Sequence, residues 1–160
     1  MTTPVVTAKR GDELTASATR YERWEWEVVR AGYRLLLELN NKISAVELPA
    51  VLGVEVQHYL GVRLLAGPVI ALPGEPSRWL LLTESADMAA PVNGVRLRAQ
   101  GGQVHGAGAL VPLPPSRLEL GDVAWRVSPA PDGPSLPPFN AVVAAVRTVT
   151  EAPGQPVHGR

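Results

Sequence analysis

The spacing of apolar positions changes several times along this chain, and each change marks an expected element. Tyr21, Trp24, Val28 and Ala31 recur three or four residues apart, as do Arg23, Glu27, Arg30 and Arg34. That spacing predicts a helix over 14–31 with an apolar and a polar stripe, stopped by Gly32. The run Trp24-Glu25-Trp26-Glu27-Val28 also alternates with period two, so a strand is the competing reading of the same residues. Leu35–Leu39 and Ile43–Leu48 are two apolar runs separated by Asn40-Asn41-Lys42. Asn tolerates left-handed backbone, so the three segments together predict a hairpin.

Pro49 suits the first position of a helix, and the apolar-rich stretch after it predicts a helix to about Leu65, stopping near Gly67. Pro68–Leu72 and Arg78–Leu82 are strand-like and flank the loop Pro73-Gly74-Glu75-Pro76-Ser77. Shorter strands are expected at Val95–Arg98, Ala109–Leu113 and Val123–Val127. A last helix from Pro138 to Val149 places Phe139, Val142, Val143 and Val146 on one face. The order predicts a single α+β domain over 13–150, a mixed, mostly antiparallel sheet with helices packed on it. Residues 1–12 and 151–160 lack apolar periodicity and read as flexible tails.

Composition narrows the function. A chain of 160 residues, 46% of them hydrophobic, has enough apolar material for one folded domain. Fifteen basic and fifteen acidic residues cancel, so any contact with a polyanion must come from a local patch. Cysteine is absent, which excludes disulfides, thiolate metal sites and cysteine nucleophiles. No apolar run approaches the roughly 18 residues of a membrane span, and the first residues hold no apolar leader core; the expectation is a cytoplasmic protein with no membrane partner. Lys9 and Lys42 are the only lysines beside many arginines. With abundant Ala, Val, Leu, Gly and Pro, this is the usage of a GC-rich, actinobacterial-like genome.

Candidate chemistry is sparse. The segment Gly101-Gly102-Gln103-Val104-His105-Gly106-Ala107-Gly108 is glycine-rich, but a phosphate loop needs a helix N-terminus after it, and Ala109-Leu110-Val111-Pro112 is strand-like. A turn or close backbone approach is the reading of those glycines. His58 has Glu55 on the same helical face, and two ligands make no metal site. Ser116, His105 and Asp122 have no spacing that marks a catalytic triad, and no cofactor is implied. Glu38 and Glu47, on opposite arms of the expected hairpin, read either as a carboxylate pair across it or, as lone strand glutamates more often do, as markers of a solvent face, while Glu119 and Asp122 read as solvated turn residues. Arg96 and Arg98, alternating on an expected strand, would share a face, and Arg78 starts a neighbouring one. Paired, these strands would form a basic patch beside Trp79, a stacking surface for a base; an ordinary solvated sheet face is the alternative.

From about Leu35 to Val127 the order of motifs resembles the bacterial prim-pol domain, the bifunctional DNA primase/polymerase of the archaeo-eukaryotic primase superfamily. The residues that carry the resemblance are Ile43-Ser44-Ala45-Val46-Glu47-Leu48-Pro49 with Gly53 after it, Gly67–Gly74, Ser77–Leu82, Gly94-Val95-Arg96-Leu97-Arg98, Gly106–Ser116 with its Pro114-Pro115-Ser116, and Trp125. The resemblance implies a helix-backed, RRM-like sheet. It also implies lost chemistry. Glu47 stands at the family's first metal-binding acid, Pro49 at the second, Arg78 at the histidine that contacts nucleotide phosphates, and Arg96 at the third acid. Phosphoryl transfer needs carboxylates to hold divalent ions, and one Glu flanked by arginines does not supply them.

The expectation is therefore a non-catalytic binding or regulatory module. Arg78, Trp79, Arg96, Arg98 and His105 would line a groove for nucleic acid, a nucleotide or an acidic partner. The alternative is a protein-interaction factor, with Trp24 and Trp26 as anchors for a partner or a second copy. A residual metal-dependent nucleotidyl-transfer enzyme built on Glu47 is the third reading.

Overall fold

The computed structural model of this chain describes residues 4–86 and 91–151, with side chains from Lys9 onward. In chain order the elements are α1 (Pro4–Arg23), β1 (Val28–Ala31), β2 (Arg34–Glu38), β3 (Ile43–Pro49), α2 (Ala50–Val62), β4 (Val69–Leu72), β5 (Arg78–Glu84), α3 (Pro91–Ala99), β6 (Gln103–His105), β7 (Leu110–Leu113), β8 (Arg117–Leu118), β9 (Gly121–Asp122), β10 (Ala124–Val127) and α4 (Phe139–Thr150). The fold is α+β. Its central sheet has the order β10-β4-β5-β3-β6, beside a smaller sheet β1-β2-β7 and a two-stranded β8-β9 pair. Every strand pairing among the described residues is antiparallel, so the sheet is not mixed.

Side-chain alternation gives the central sheet two apolar faces, and each is covered. Ile43 and Ala45 of β3, Ile70 of β4, and Leu80 and Leu82 of β5 point to one side. There they meet Leu35 and Leu37 of β2, Val111 and Leu113 of β7, and Leu14 and Tyr21 of α1. Val46, Leu48, Val69, Trp79 and Leu81 point to the other side, against Val56 and Leu60 of α2, Leu97 of α3, and Phe139, Val142 and Val146 of α4. The result is three layers: the small sheet with α1, the central sheet, and the helices α2, α3 and α4. A strand buried on both faces reads as a continuous apolar run, which is why β3 and β5 carry so few polar residues.

The hairpin expected from 35–48 does not form. Its two strands and the turn between them exist, but β2 pairs with β1 and β7, while β3 pairs with β5 and β6. Asn40 Oδ1 accepts from the backbone N–H of Lys42 (2.8 Å) and of Ile43 (3.2 Å). This Asx turn redirects the chain from one sheet into the next. In place of the expected hairpin β2 pairs back with β1, the two joined by the residues Gly32-Tyr33 with Gly32 at φ +61°. Gly32 thus serves a strand turn and not a helix stop.

The first helix also lies earlier than its pattern suggests. Residues 4–12, read as part of a loose tail, belong to α1, which ends at Arg23. The buried stripe of α1 is Leu14, Ser17 and Tyr21, and Glu25, at φ +63°, turns the chain back. The alternation from Trp24 to Val28 becomes strand only at Val28. The expected tails at 1–3 and 152–160, and His158 with them, lie outside the described residues. The strand expected at Val95–Arg98 is part of α3. Leu97 is its one buried residue, and Pro91 suits a helix start, so Val-Arg-Leu-Arg alternation is a helix with a single inward anchor. No helix of the described residues is long and apolar enough to cross a membrane.

Candidate functional site

At the outer end of the inner row on β3, after Ile43 and Ala45, stands Glu47. Its neighbours on that face come from the strands on either side. Glu47 sits opposite Leu80 of β5 and Gln103 of β6, so the diagonal positions are Arg78 and His105. Diagonal neighbours in an antiparallel sheet lie within reach of long side chains. Arg78 Nε donates to Glu47 Oε2, and His105 Nε2 lies 2.9 Å from Glu47 Oε1. Since a carboxylate only accepts, His105 donates from Nε2 in this contact. Arg78 Nη2 also donates to the carbonyl of Gly101 (2.8 Å). The three side chains are half-buried, with exposures of 16% for Glu47, 20% for His105 and 32% for Arg78.

The hydrogen bond from His105 holds the Glu47 carboxyl below the ordinary carboxylate range, with Arg78 adding its own hydrogen bond and charge, against burial, which raises it. Both carboxylate oxygens are engaged. Among the described residues, Arg78 Nη1 and His105 Nδ1 carry no hydrogen bond. The site therefore offers one guanidinium nitrogen and one imidazole nitrogen around a neutralised carboxylate.

The glycine-rich segment positions His105. Gly101 adopts φ +79° after α3, and Gly102 is wedged in: a Cβ on it would lie 3.1 Å from both the Glu47 and the Leu97 carbonyl oxygens. Glycine at these two positions lets β6 leave α3 and run beside β3. This is the close backbone approach expected of the segment, and no helix N-terminus follows it. The edge strand β6 itself has no signal in the sequence beyond Val104.

Several expected groove residues lie elsewhere. Arg96 and Arg98 are exposed on α3, in the helical layer and away from the sheet face that carries Glu47. Arg96 instead borders a cleft of about 430 Å³ between α3 and α4, with Arg147 and Glu151. Trp79 follows Arg78 on β5 and so points to the opposite face, where it is 8% exposed and packs on Gly53 of α2. It offers no stacking surface beside Arg78. Of the five expected ligand-binding residues, the fold joins Arg78 and His105, and adds Glu47.

Trp24 and Trp26 are not surface anchors. Trp26 is 8% exposed, and Trp24 packs partly buried against the same core. Tyr21 lies 5.6 Å from the Trp26 ring and 6.2 Å from the Trp125 ring, and Trp24 is 5.2 Å from Trp26. The rings meet where Tyr21, near the end of α1, contacts Trp125 of β10. Tyr21 Oη donates to the Pro114 carbonyl (2.5 Å) and accepts from Trp125 Nε1 (3.1 Å); burial raises its pKa, which the Trp125 bond and Arg20 only partly offset.

The remaining candidates separate. Ser116 is fully buried, and its Oγ accepts from the Leu35 N–H (2.7 Å) and donates to the Leu35 carbonyl (3.0 Å). It ties the β7 end to β2. Asp122 instead pairs with Arg117 and Arg10, so these residues form no triad with His105. Glu38 and Glu47 belong to different sheets. Glu55 and His58 are exposed on α2. Among the described residues no three His, Asp or Glu side chains converge as metal ligands. No family model, curated protein or solved structure matches this chain.

Proposed function

We propose that the chain is a non-catalytic, prim-pol-like binding module whose ligand carries a phosphate, a nucleotide or a single-stranded nucleic acid, held at Arg78 and His105. The observation behind this reading is the meeting of Glu47, Arg78 and His105 on one half-open sheet face. Glu47 and Arg78 occupy the positions that resemble the family's first acid and its phosphate-contacting histidine. A divalent ion at Glu47 would have to displace Arg78 or His105 from the carboxylate, and among the described residues no second acid joins it; this favours binding over phosphoryl transfer. The free Nη1 of Arg78 suits a phosphate oxygen, since guanidinium donors match its geometry.

The test is fluorescence anisotropy of a labelled single strand across a salt series, with a nucleoside triphosphate as competitor. Salt-sensitive binding that Arg78→Ala abolishes and the triphosphate displaces is the expected result. Failure of both probes to bind at low salt would remove the reading. A protein-interaction role is favoured by a separate feature, the apolar outer face of α2.

A further inference from the structure

The helix α2 is apolar nearly all round. In its sequence Ala-Val-Leu-Gly-Val-Glu-Val-Gln-His-Tyr-Leu-Gly-Val, Glu55, Gln57 and His58 are the only ionisable or amide side chains apart from the Tyr59 phenol. Helices of that kind are ordinarily covered on all sides. Here Gly53, Val56 and Leu60 face the core, while Val51 is 80% exposed, Val54 52% and Val62 68%. Just beyond the helix, Leu64 is 93% and Leu65 37% exposed. Val54, Tyr59, Val62 and Val149 of α4, together with Glu55, His58 and Arg63, line an open depression of about 530 Å³ on this side, where the Arg63 guanidinium stacks on the Tyr59 ring, 3.6 Å from its centroid. Singly exposed apolar residues need no explanation, but several gathered on one outward helix face around a charged centre point to a binding surface.

The order of residues along the stripe identifies its occupant. Positions 51, 55, 58 and 62 follow each other at spacings of four, three and four, so they form one narrow line on the helix. That line is symmetric about the midpoint between Val56 and Gln57. A second α2 laid antiparallel across it, with a two-fold axis at that midpoint, sets Val51 against the partner's Val62. The same axis sets Glu55 against the partner's His58, and each contact occurs twice. Self-complementarity of this kind, apolar at the ends and acid against base in the middle, is the requirement of a two-fold interface between identical chains. We infer that the exposed face of α2 is the interface of a homodimer of this protein, independently of what binds at Arg78.

A helix of 13 residues is about 20 Å long. With Leu64, Leu65 and Val149 beside it, the contact lies at the small end of specific interfaces, so the dimer is expected to be reversible and concentration-dependent.

Sedimentation velocity of the full chain over a concentration series tests this directly. Val62→Glu, at a position already two-thirds exposed, keeps the fold and should abolish the dimer. Glu55→Lys should weaken it by about tenfold by setting Lys beside the partner's His58, and Glu55→Lys with His58→Glu should restore it. A chain that stays monomeric up to about 1 mM overturns the proposal and leaves the face to another protein or to a segment of this chain. A dimer indifferent to Val62→Glu places the interface elsewhere and overturns it equally. Failure of the exchanged pair to restore what Glu55→Lys loses overturns the antiparallel register from which the two-fold contact is argued, even where Val62→Glu abolishes the dimer.

Discussion

Arg78 and Trp79 are neighbours in sequence that the central sheet sends to opposite faces: Arg78 bonds Glu47 beside the inner core, and Trp79 lies against Gly53 in the helical layer. The polar site and the seat of α2 therefore hang on adjacent residues of one strand, and substitutions at each should act on different properties.

The contact with Gly53 has no slack. A Cβ at position 53 would lie 2.6 Å from Trp79 Cε3, far inside van der Waals contact. Gly53→Ala gains about 1 kcal/mol of helix propensity, but overpacking costs about 1–3 kcal/mol, so net destabilisation is expected in urea unfolding. In a Trp79→Leu background, where the ring edge is gone, the same Gly53→Ala change should lose its penalty. A destabilisation equal in both backgrounds would contradict the packing argument.

Glu47 makes stability depend on acid pH. Its folded-state pKa lies below the ordinary 4.5 because of His105 and Arg78. The contribution is present above the unfolded value and is lost as pH falls through the depressed folded one. Glu47→Gln should flatten that part of the stability curve, with little change of slope near neutral pH. Urea midpoints measured from pH 7 down to pH 3 read this, and an unchanged acid slope in Glu47→Gln would exclude Glu47 as its source.

Arg78 and Arg96 should behave differently in any binding assay. Arg78 sits in the polar cluster and Arg96 on the exposed side of α3. Arg78→Ala should abolish phosphate-dependent binding, whereas Arg96→Glu, which leaves the sheet face untouched, should alter the affinity less than about threefold, a shift of under 1 kcal/mol. Thermal unfolding of both variants checks that each is folded. The opposite pattern would move the site to the cleft between α3 and α4.

Tyr21 ties three parts of the inner core through one hydroxyl. Tyr21→Phe leaves the Pro114 carbonyl and the Trp125 N–H without their partner, and an unsatisfied buried polar group costs about 1–3 kcal/mol. The same hydroxyl titrates above its ordinary value because burial disfavours the phenolate. Its stabilising effect is full below the unfolded pKa and fades as pH rises through the folded one. Urea unfolding of Tyr21→Phe at pH 7 should show the loss; a variant as stable as the parent would mean the hydroxyl is dispensable.

Where burial alone set the pattern, the sequence was informative. The strands at Val69–Leu72, Arg78–Glu84 and Leu110–Leu113 and the helices after Pro49 and Pro138 follow from apolar runs, period and proline position. His105 was legible as the histidine of the glycine-rich segment, whereas Arg78 was singled out partly for a pairing with Arg96 and Arg98 that the fold does not make. Short segments with mixed periods were not decidable locally: Trp24–Val28 and Val95–Arg98 satisfy helix and strand alike, and contacts remote in sequence choose between them.

The amino-acid order by itself determined an α+β chain with an apolar β3 and β5, a helix opened by Pro49, and no thiol chemistry. Tertiary structure alone decided partnership. It sent β2 and β3 into different sheets, buried Trp24 and Trp26 in one aromatic cluster, and set Arg96 on a helix. It also brought His105 and Arg78 to Glu47 from opposite sides of β3. Local pattern records which way a side chain faces, because facing follows the period of one element. Which strand lies alongside depends on burying both faces of the central sheet at once, a condition spread over the whole chain and written in no single window of it.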